Sequence, residues 1–151
     1  MPNLKVKRLN KDAKIPARST PESAGLDLCA CIEEPLHLVP GGRCIIPTGI
    51  AIEIPPGWCG LIFARSGLGI KHGIIPSNAV GVIDSDYRGE VHVGLINHGG
   101  QGYTIAPGER IAQLILMPAQ MASVEEAEQL SHTKRGEGGF GSTGRMMTVD
   151  S

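Results

Sequence analysis

Aromatic residues are scarce in this 151-residue chain: one Trp, two Tyr and two Phe, 3% of the whole. No charge of one sign dominates either, since 14 Lys and Arg face 15 Asp and Glu for a formal net charge of −1. That balance excludes a nucleic-acid polymer as the main partner, because binding a phosphate backbone demands a surplus of Lys and Arg. No apolar run approaches the ~18 residues of a membrane helix, so no membrane is expected. Met1-Pro2-Asn3-Leu4-Lys5 lacks the apolar segment of a signal peptide. The expectation is a soluble, cytoplasmic protein. Cys-x-x-Cys is absent among Cys29, Cys31, Cys44 and Cys59, and no His stands at zinc-ligand spacing from another His or from Cys. Cys29 and Cys31, two apart, would share one face of a strand and could ligate a metal or pair. The favoured reading is small apolar residues in a reducing compartment.

What the chain does have is breakers. Gly (21) and Pro (11) make about a fifth of it, well above the average of roughly 12%. Yet 41% of residues are apolar, which is not a disordered composition. Strand-length runs are expected at Leu4–Leu9, Ala24–Cys31, Leu36–Val39, Arg43–Ile46, Ile50–Ile54, Trp58–Ala64, Ala79–Ile83, Glu90–Asn97, Tyr103–Ile105 and Arg110–Met117. Turns such as Pro40-Gly41-Gly42, Pro55-Pro56-Gly57 and His98-Gly99-Gly100 separate them at intervals of roughly 8–12 residues, the pattern of an all-β sandwich or barrel. Only Ser66–His72 and Val124–Leu130 suit a helical turn or two. A doubly wound fold is excluded, because its parallel crossovers need longer helices. The body of the domain is expected over residues 1–130. From Ser131 to Ser151 a Gly-rich tail follows, with no periodic apolar face and every reason to be mobile alone in water.

Several segments have the residue types of a phosphate chemistry. The tail offers unhindered backbone N–H groups, the hydroxyls of Ser142 and Thr143, and the guanidiniums of Arg135 and Arg145, the means to wrap a phosphate chain. Gly136-x-Gly138-x-x-Gly141 spells a dinucleotide fingerprint but lacks the strand–turn–helix context that gives it meaning. Arg65-Ser66-Gly67 opens a helical turn, where Ser66 could cap the turn, contact an anion, or both. Asp84 and Asp86 stand two apart where an apolar strand meets a turn, suited to a metal or general-base site or to turn chemistry alone. Asp27 interrupts Ala24-Gly25-Leu26 and Leu28, so an ionised carboxylate there needs an Arg, backbone donors or a metal.

Taken in order, Ala24-Gly25-Leu26-Asp27-Leu28, Arg65-Ser66-Gly67-Leu68, Gly81 through Glu90, Gly108 through Ile115 and Arg135 through Gly144 resemble the five motifs of the trimeric dUTP diphosphatases. The resemblance spans about residues 5–144, and five motifs in order at matching spacing make it specific. It implies a jelly-roll-like β-barrel, three chains about a threefold axis, and active sites at subunit interfaces. Residues 131–151 would form a C-terminal arm that closes over a site of another chain.

The implied reaction converts dUTP and water to dUMP and pyrophosphate with Mg²⁺, lowering dUTP and supplying dUMP for thymidylate synthesis. By motif position, Asp84 is the expected base for an attacking water, and Asp27 would hold Mg²⁺ through water. Arg65, Ser66, Gly67 and Gln113 would bind phosphates. Asn78 and the backbone from Gly81 to His92 would read deoxyribose and uracil, and Tyr87 would pack on the sugar against a 2′-hydroxyl. In the arm, Arg135, Ser142 and Thr143 would meet the γ-phosphate, with Phe140 and Gly141 at the uracil end. Asp86 is given a structural part. Two other readings compete: a dCTP deaminase on the same fold, which would release ammonia, and a dUTP-sensing regulatory protein.

Overall fold

The computed structural model describes residues 2–139. Among them ten strands and one helix form, in the order β1 (Lys5–Arg8), β2 (Leu26–Cys29), β3 (Leu36–Leu38), β4 (Arg43–Glu53), β5 (Trp58–Phe63), α1 (Ser66–His72), β6 (Ile74–Pro76), β7 (Gly81–Ile83), β8 (Glu90–Asn97), β9 (Tyr103–Ile105) and β10 (Arg110–Pro118). In β8 the period of two is plain: Val91, Val93 and Leu95 are buried while His92 is exposed. Every pairing is antiparallel, in sheets ordered β1-β4-β8-β6, β2-β10-β5-β7 and β3-β9. The result is an all-β, jelly-roll-like fold. Its core is aliphatic, with Ile46, Ile50, Ile54, Leu95, Ile105 and Leu114 almost wholly enclosed, as the scarcity of aromatics requires.

Three local features differ from the sequence reading. Pro47-Thr48-Gly49 looks like a break between two strands, yet β4 runs through it as a bulge. The register with β8 shifts between Pro47 and Ala51. Gly49 takes the left-handed conformation (φ 69°), its N–H donates to Glu90 Oε1 at 2.8 Å, and Thr48 Oγ1 donates to Val91 O at 2.6 Å. These bonds keep the bulged residues fastened to β8 instead of releasing them as a loop. The short β6, ending in Pro76, has no periodic pattern to announce it and forms by pairing with β8. Val124–Leu130 makes no helix.

The chain divides into two compact units, Met1–Met121 and Ala122–Ser151, and all the strands and the helix belong to the first. All four cysteines are free and half-buried. No helix among the described residues is long and apolar enough to cross a membrane.

Candidate active site

The carboxylate that the sequence left without a partner has three, two guanidiniums and a hydroxyl. Asp27 pairs across the ladder with Gln113 of β10. Its Oδ1 accepts from Arg65 Nε at 2.9 Å, and its Oδ2 from Arg110 Nη1 at 3.0 Å and Ser19 Oγ at 2.8 Å. The Asp27 side chain is 14% exposed. Burial pushes its pKa up, but the hydrogen bonds from Ser19 and Arg110 and the charge and hydrogen bond of Arg65 outweigh it. The net effect holds the carboxyl below its ordinary value. One negative charge between two guanidiniums leaves the cluster positive, a setting that selects an anion.

Arg110 and Ser19 were not among the expected site residues. In a regular strand Arg110 and Gln113, three apart, would point to opposite faces. A bulge between Arg110 and Ala112 in the pairing with β2 brings both onto the face of Asp27. The signal in the sequence was Asp27 itself, which demanded a cation, but nothing local says that a bulge supplies it.

Arg65 follows β5 and forms the N-cap of α1 with extended backbone (φ −84°, ψ 134°), and no side chain caps the helix. The capping role offered for Ser66 is therefore not what forms: Ser66 is the first helical residue. No acidic residue occupies the first turn, so its N–H groups and positive dipole end stay available to an anion. A Cβ built on Gly67 would meet nothing within 4 Å, so backbone is open to close approach. Gln113 donates through Nε2 to Ala64 O at 2.8 Å, joining β10 to the residue before Arg65. Gly25 makes room for it: the three atoms nearest a Cβ there all belong to Gln113, with Oε1 nearest and Cβ at 3.0 Å.

These residues share one cavity of about 320 Å³, lined by Ser19, Ser23, Gly25, Asp27, Arg65, Ser66, Gly67 and Gln113. Five expected residues are thus brought together. The others lie elsewhere. Asn78 and Gly81 line a separate cavity of about 30 Å³ with His92, Val93 and Gly94, which holds little more than one water. Beside Asn78 the backbone is strained: Ala79 has φ 63° and Val80 N–H donates back to Asn78 O at 2.7 Å.

Asp84 and Tyr87 are exposed in the turn between β7 and β8. The bonds that hold this turn come from Tyr87 and Arg88, with Tyr87 N–H on Asp84 O (3.2 Å) and Arg88 Nη1 on Ser85 O (2.7 Å). Antiparallel pairing sets Ile83 opposite Gly60 and Gly81 opposite Ile62. Asp84 therefore follows at the Cys59 end of β5, whereas Arg65 leaves from the Phe63 end. The strand between those ends is roughly 13 Å long at the usual rise. In the second unit, Arg135 Nε donates to Gly138 O at 2.7 Å. Phe140, Gly141, Ser142 and Thr143 lie outside the described residues.

For a divalent cation, no group of three or more His, Cys, Asp or Glu among the described residues is placed to hold one. Both Asp27 oxygens already face guanidiniums. With no further carboxylate among the described residues that line the cavity, Asp27 could meet a divalent cation such as Mg²⁺ only through that ion's waters, in keeping with magnesium's reluctance to shed them.

Residues 11–144 match the dUTPase family model. The chain is 50% identical over 140 residues to the deoxyuridine 5′-triphosphate nucleotidohydrolase of Aeromonas hydrophila, covering 92% of each chain, and 48% identical to that of Syntrophotalea carbinolica, covering 93% of this chain and 96% of that one. Its fold superposes on the dUTPase of Staphylococcus bacteriophage 80alpha, solved with dUpNHpp, at a TM-score of 0.85 and 30% identity, covering 95% of this chain and 99% of that one. A mutant dUTPase from phage phi11 of Staphylococcus aureus, whose structure reveals the coordination of a structural Mg(II) ion, matches at a TM-score of 0.75 and 25% identity, covering 84% of this chain and 97% of that one. With a family model spanning most of its length and relatives at half identity over nine-tenths of it, the chain belongs to the dUTPase family.

Proposed function

We propose that this chain hydrolyses dUTP to dUMP and pyrophosphate, and that the cavity of Asp27, Arg65, Ser66, Gly67 and Gln113 is where it holds the triphosphate. The observation that carries this reading is one polar cavity on which the Arg65 guanidinium, an uncapped helix start and a glycine-open backbone converge, with Arg110 bonded to the Asp27 that lines it. That combination suits several phosphate oxygens at once.

Asp84 is the base in this scheme. It orients a water in line with the α-phosphorus and takes its proton as the new P–O bond forms. The bridging P–O bond breaks, and its electron pair leaves with pyrophosphate. An exposed carboxylate is a weak base, so most of the rate must come from charge compensation on the phosphates. Arg65 and the N–H groups of Ser66 and Gly67 supply that compensation, with Gln113 on a phosphate oxygen or the water. Mg²⁺ bound with the nucleotide would add charge neutralisation, with Asp27 ordering its waters. Asn78, Gly81 and the adjoining backbone read uracil and deoxyribose, with Tyr87 against the sugar. This requires the small cavity beside Asn78 to widen.

The separation of Asp84 from Arg65 within one chain supports assembly. A base at one end of β5 serves phosphates held at the other end only when a second copy brings its own cradle, as in a homotrimer with sites at the subunit interfaces. Residues 131–151 act as an arm over such a site, through Arg135, Phe140, Gly141, Ser142 and Thr143. The protein works in the cytoplasm, where the dUMP it makes feeds thymidylate synthesis. Incubation with dUTP, dCTP, dTTP and UTP plus Mg²⁺, following pyrophosphate and ammonia, tests the reading. Pyrophosphate from dUTP alone, without ammonia, is expected; ammonia from dCTP, or no turnover of dUTP, would overturn it.

A further inference from the structure

Gly89 is exposed, yet the place its Cβ would take lies against one side chain, and its backbone is not of positive φ. A Cβ built there would stand 2.6 Å from Cζ of Tyr87 and 3.0 Å from its Cε2, with Oη nearer still, and these three are its closest neighbours. Gly89 is absent from the residues of positive φ, so its backbone accommodates an L residue. The atoms a side chain at position 89 would meet first are those of the Tyr87 ring. That ring is fastened at its tip, where Oη donates to Glu90 O at 2.9 Å, and at its root, where the Tyr87 N–H bonds to Asp84 O. It is nonetheless 45% exposed, so one side rests on the turn and another is presented outward.

We propose that Gly89 is a positioning residue for sugar selection: lacking a side chain, it seats the Tyr87 ring at the depth that leaves space for a deoxyribose and none for a 2′-hydroxyl. This rests on the reading above that Tyr87 stands beside the sugar. A steric wall discriminates only when its position is held within a fraction of an ångström. The ring is rigid, so moving Oη away from a new methyl group moves Cζ and Cε2 with it and breaks the bond to Glu90. The wall then shifts as a whole.

The test is Gly89→Ala, alone and combined with Tyr87→Ala, with kcat/KM measured for dUTP and UTP. Gly89→Ala is expected to lower the dUTP-over-UTP ratio by about tenfold, the scale of one lost steric contact. In the Tyr87→Ala background, with nothing left to unseat, the same substitution should change the ratio less than about twofold. Ring-labelled tyrosine NMR gives a second readout, since the chain has only two tyrosines and the signal missing from Tyr87→Phe identifies Tyr87. That signal should move in Gly89→Ala. A ratio unchanged by Gly89→Ala but lowered by Tyr87→Ala overturns the inference, as does an equal loss in both backgrounds. If Tyr87→Ala leaves the ratio alone, the reading of Tyr87 falls and sugar selection with it. An unmoved ring signal would then remove the seat as well.

Discussion

Arg110 reaches Asp27 across 83 positions of sequence, Nη1 to Oδ2 at 3.0 Å, while Arg65 holds the other oxygen at 2.9 Å. The folded Asp27 carboxyl titrates below its ordinary value of 3.8. The stabilisation it brings is therefore complete above that value and lost as pH falls through the folded one. Asp27→Asn should cost roughly 1–3 kcal/mol at pH 7, because two guanidiniums then face each other without their anion. The gap in melting temperature between the two proteins should close as pH drops below about 4. A gap that stays constant down to pH 2 would mean the pair contributes nothing.

Asp84→Asn removes the proposed base and no bond that holds the turn. Affinity for a non-hydrolysable dUTP analogue should stay near that of the unaltered protein while kcat falls by roughly 10²–10⁴. Isothermal titration and steady-state rates separate the two effects. A kcat near the original value would assign the proton to another group.

Arg65→Gln and Asp84→Asn should each be nearly inactive, yet unfolding and refolding them together should restore activity. If each site draws its base from one chain and its cradle from another, random mixing in equal amounts gives about a quarter of the sites both intact parts. No recovery, with mixed assemblies demonstrated by mass, would place base and cradle on the same chain.

Deleting Lys134–Ser151 removes no strand among the described residues and no periodic apolar face, so the melting temperature should change little. If the arm closes the site, kcat/KM for dUTP should fall by at least ~10², through loss of water exclusion and of the γ-phosphate contacts. Full activity in the shortened chain would make the tail a plain terminus.

Helix α1 forms over the residues that the spacing proposes, Ser66–His72, because Gly73 stops it in the left-handed conformation (φ 73°) close behind Lys71 and His72. The single strand β4 was not legible, because Pro47-Thr48-Gly49 reads locally as a turn. The bonds that hold it in the sheet come from Glu90 and Val91, some forty positions away. The site divides the same way. Asp27, Arg65 and Gln113 lie in motifs that the sequence displays, whereas Arg110 enters through a bulge defined only by its pairing with β2. Motif order proposes which residues belong to the site. It does not convey that Asp84 and Arg65 leave the β5–β7 pair at opposite ends, since that depends on antiparallel register.

Strand β10 is the last of the described strands in chain order and yet lies inside its sheet, between β2 and β5. Until residues 110–118 leave the ribosome, Asp27 lacks Arg110, Ala64 lacks its bond from Gln113, and the edges of β2 and β5 that β10 will fill stand open. Pairings across such separations are also slow to form. The cavity of Asp27, Arg65 and Gln113 thus forms only after residues 110–118 have been made. A chain interrupted before Arg110 is not a weakened enzyme but a pair of exposed strand edges, prone to pairing with other chains.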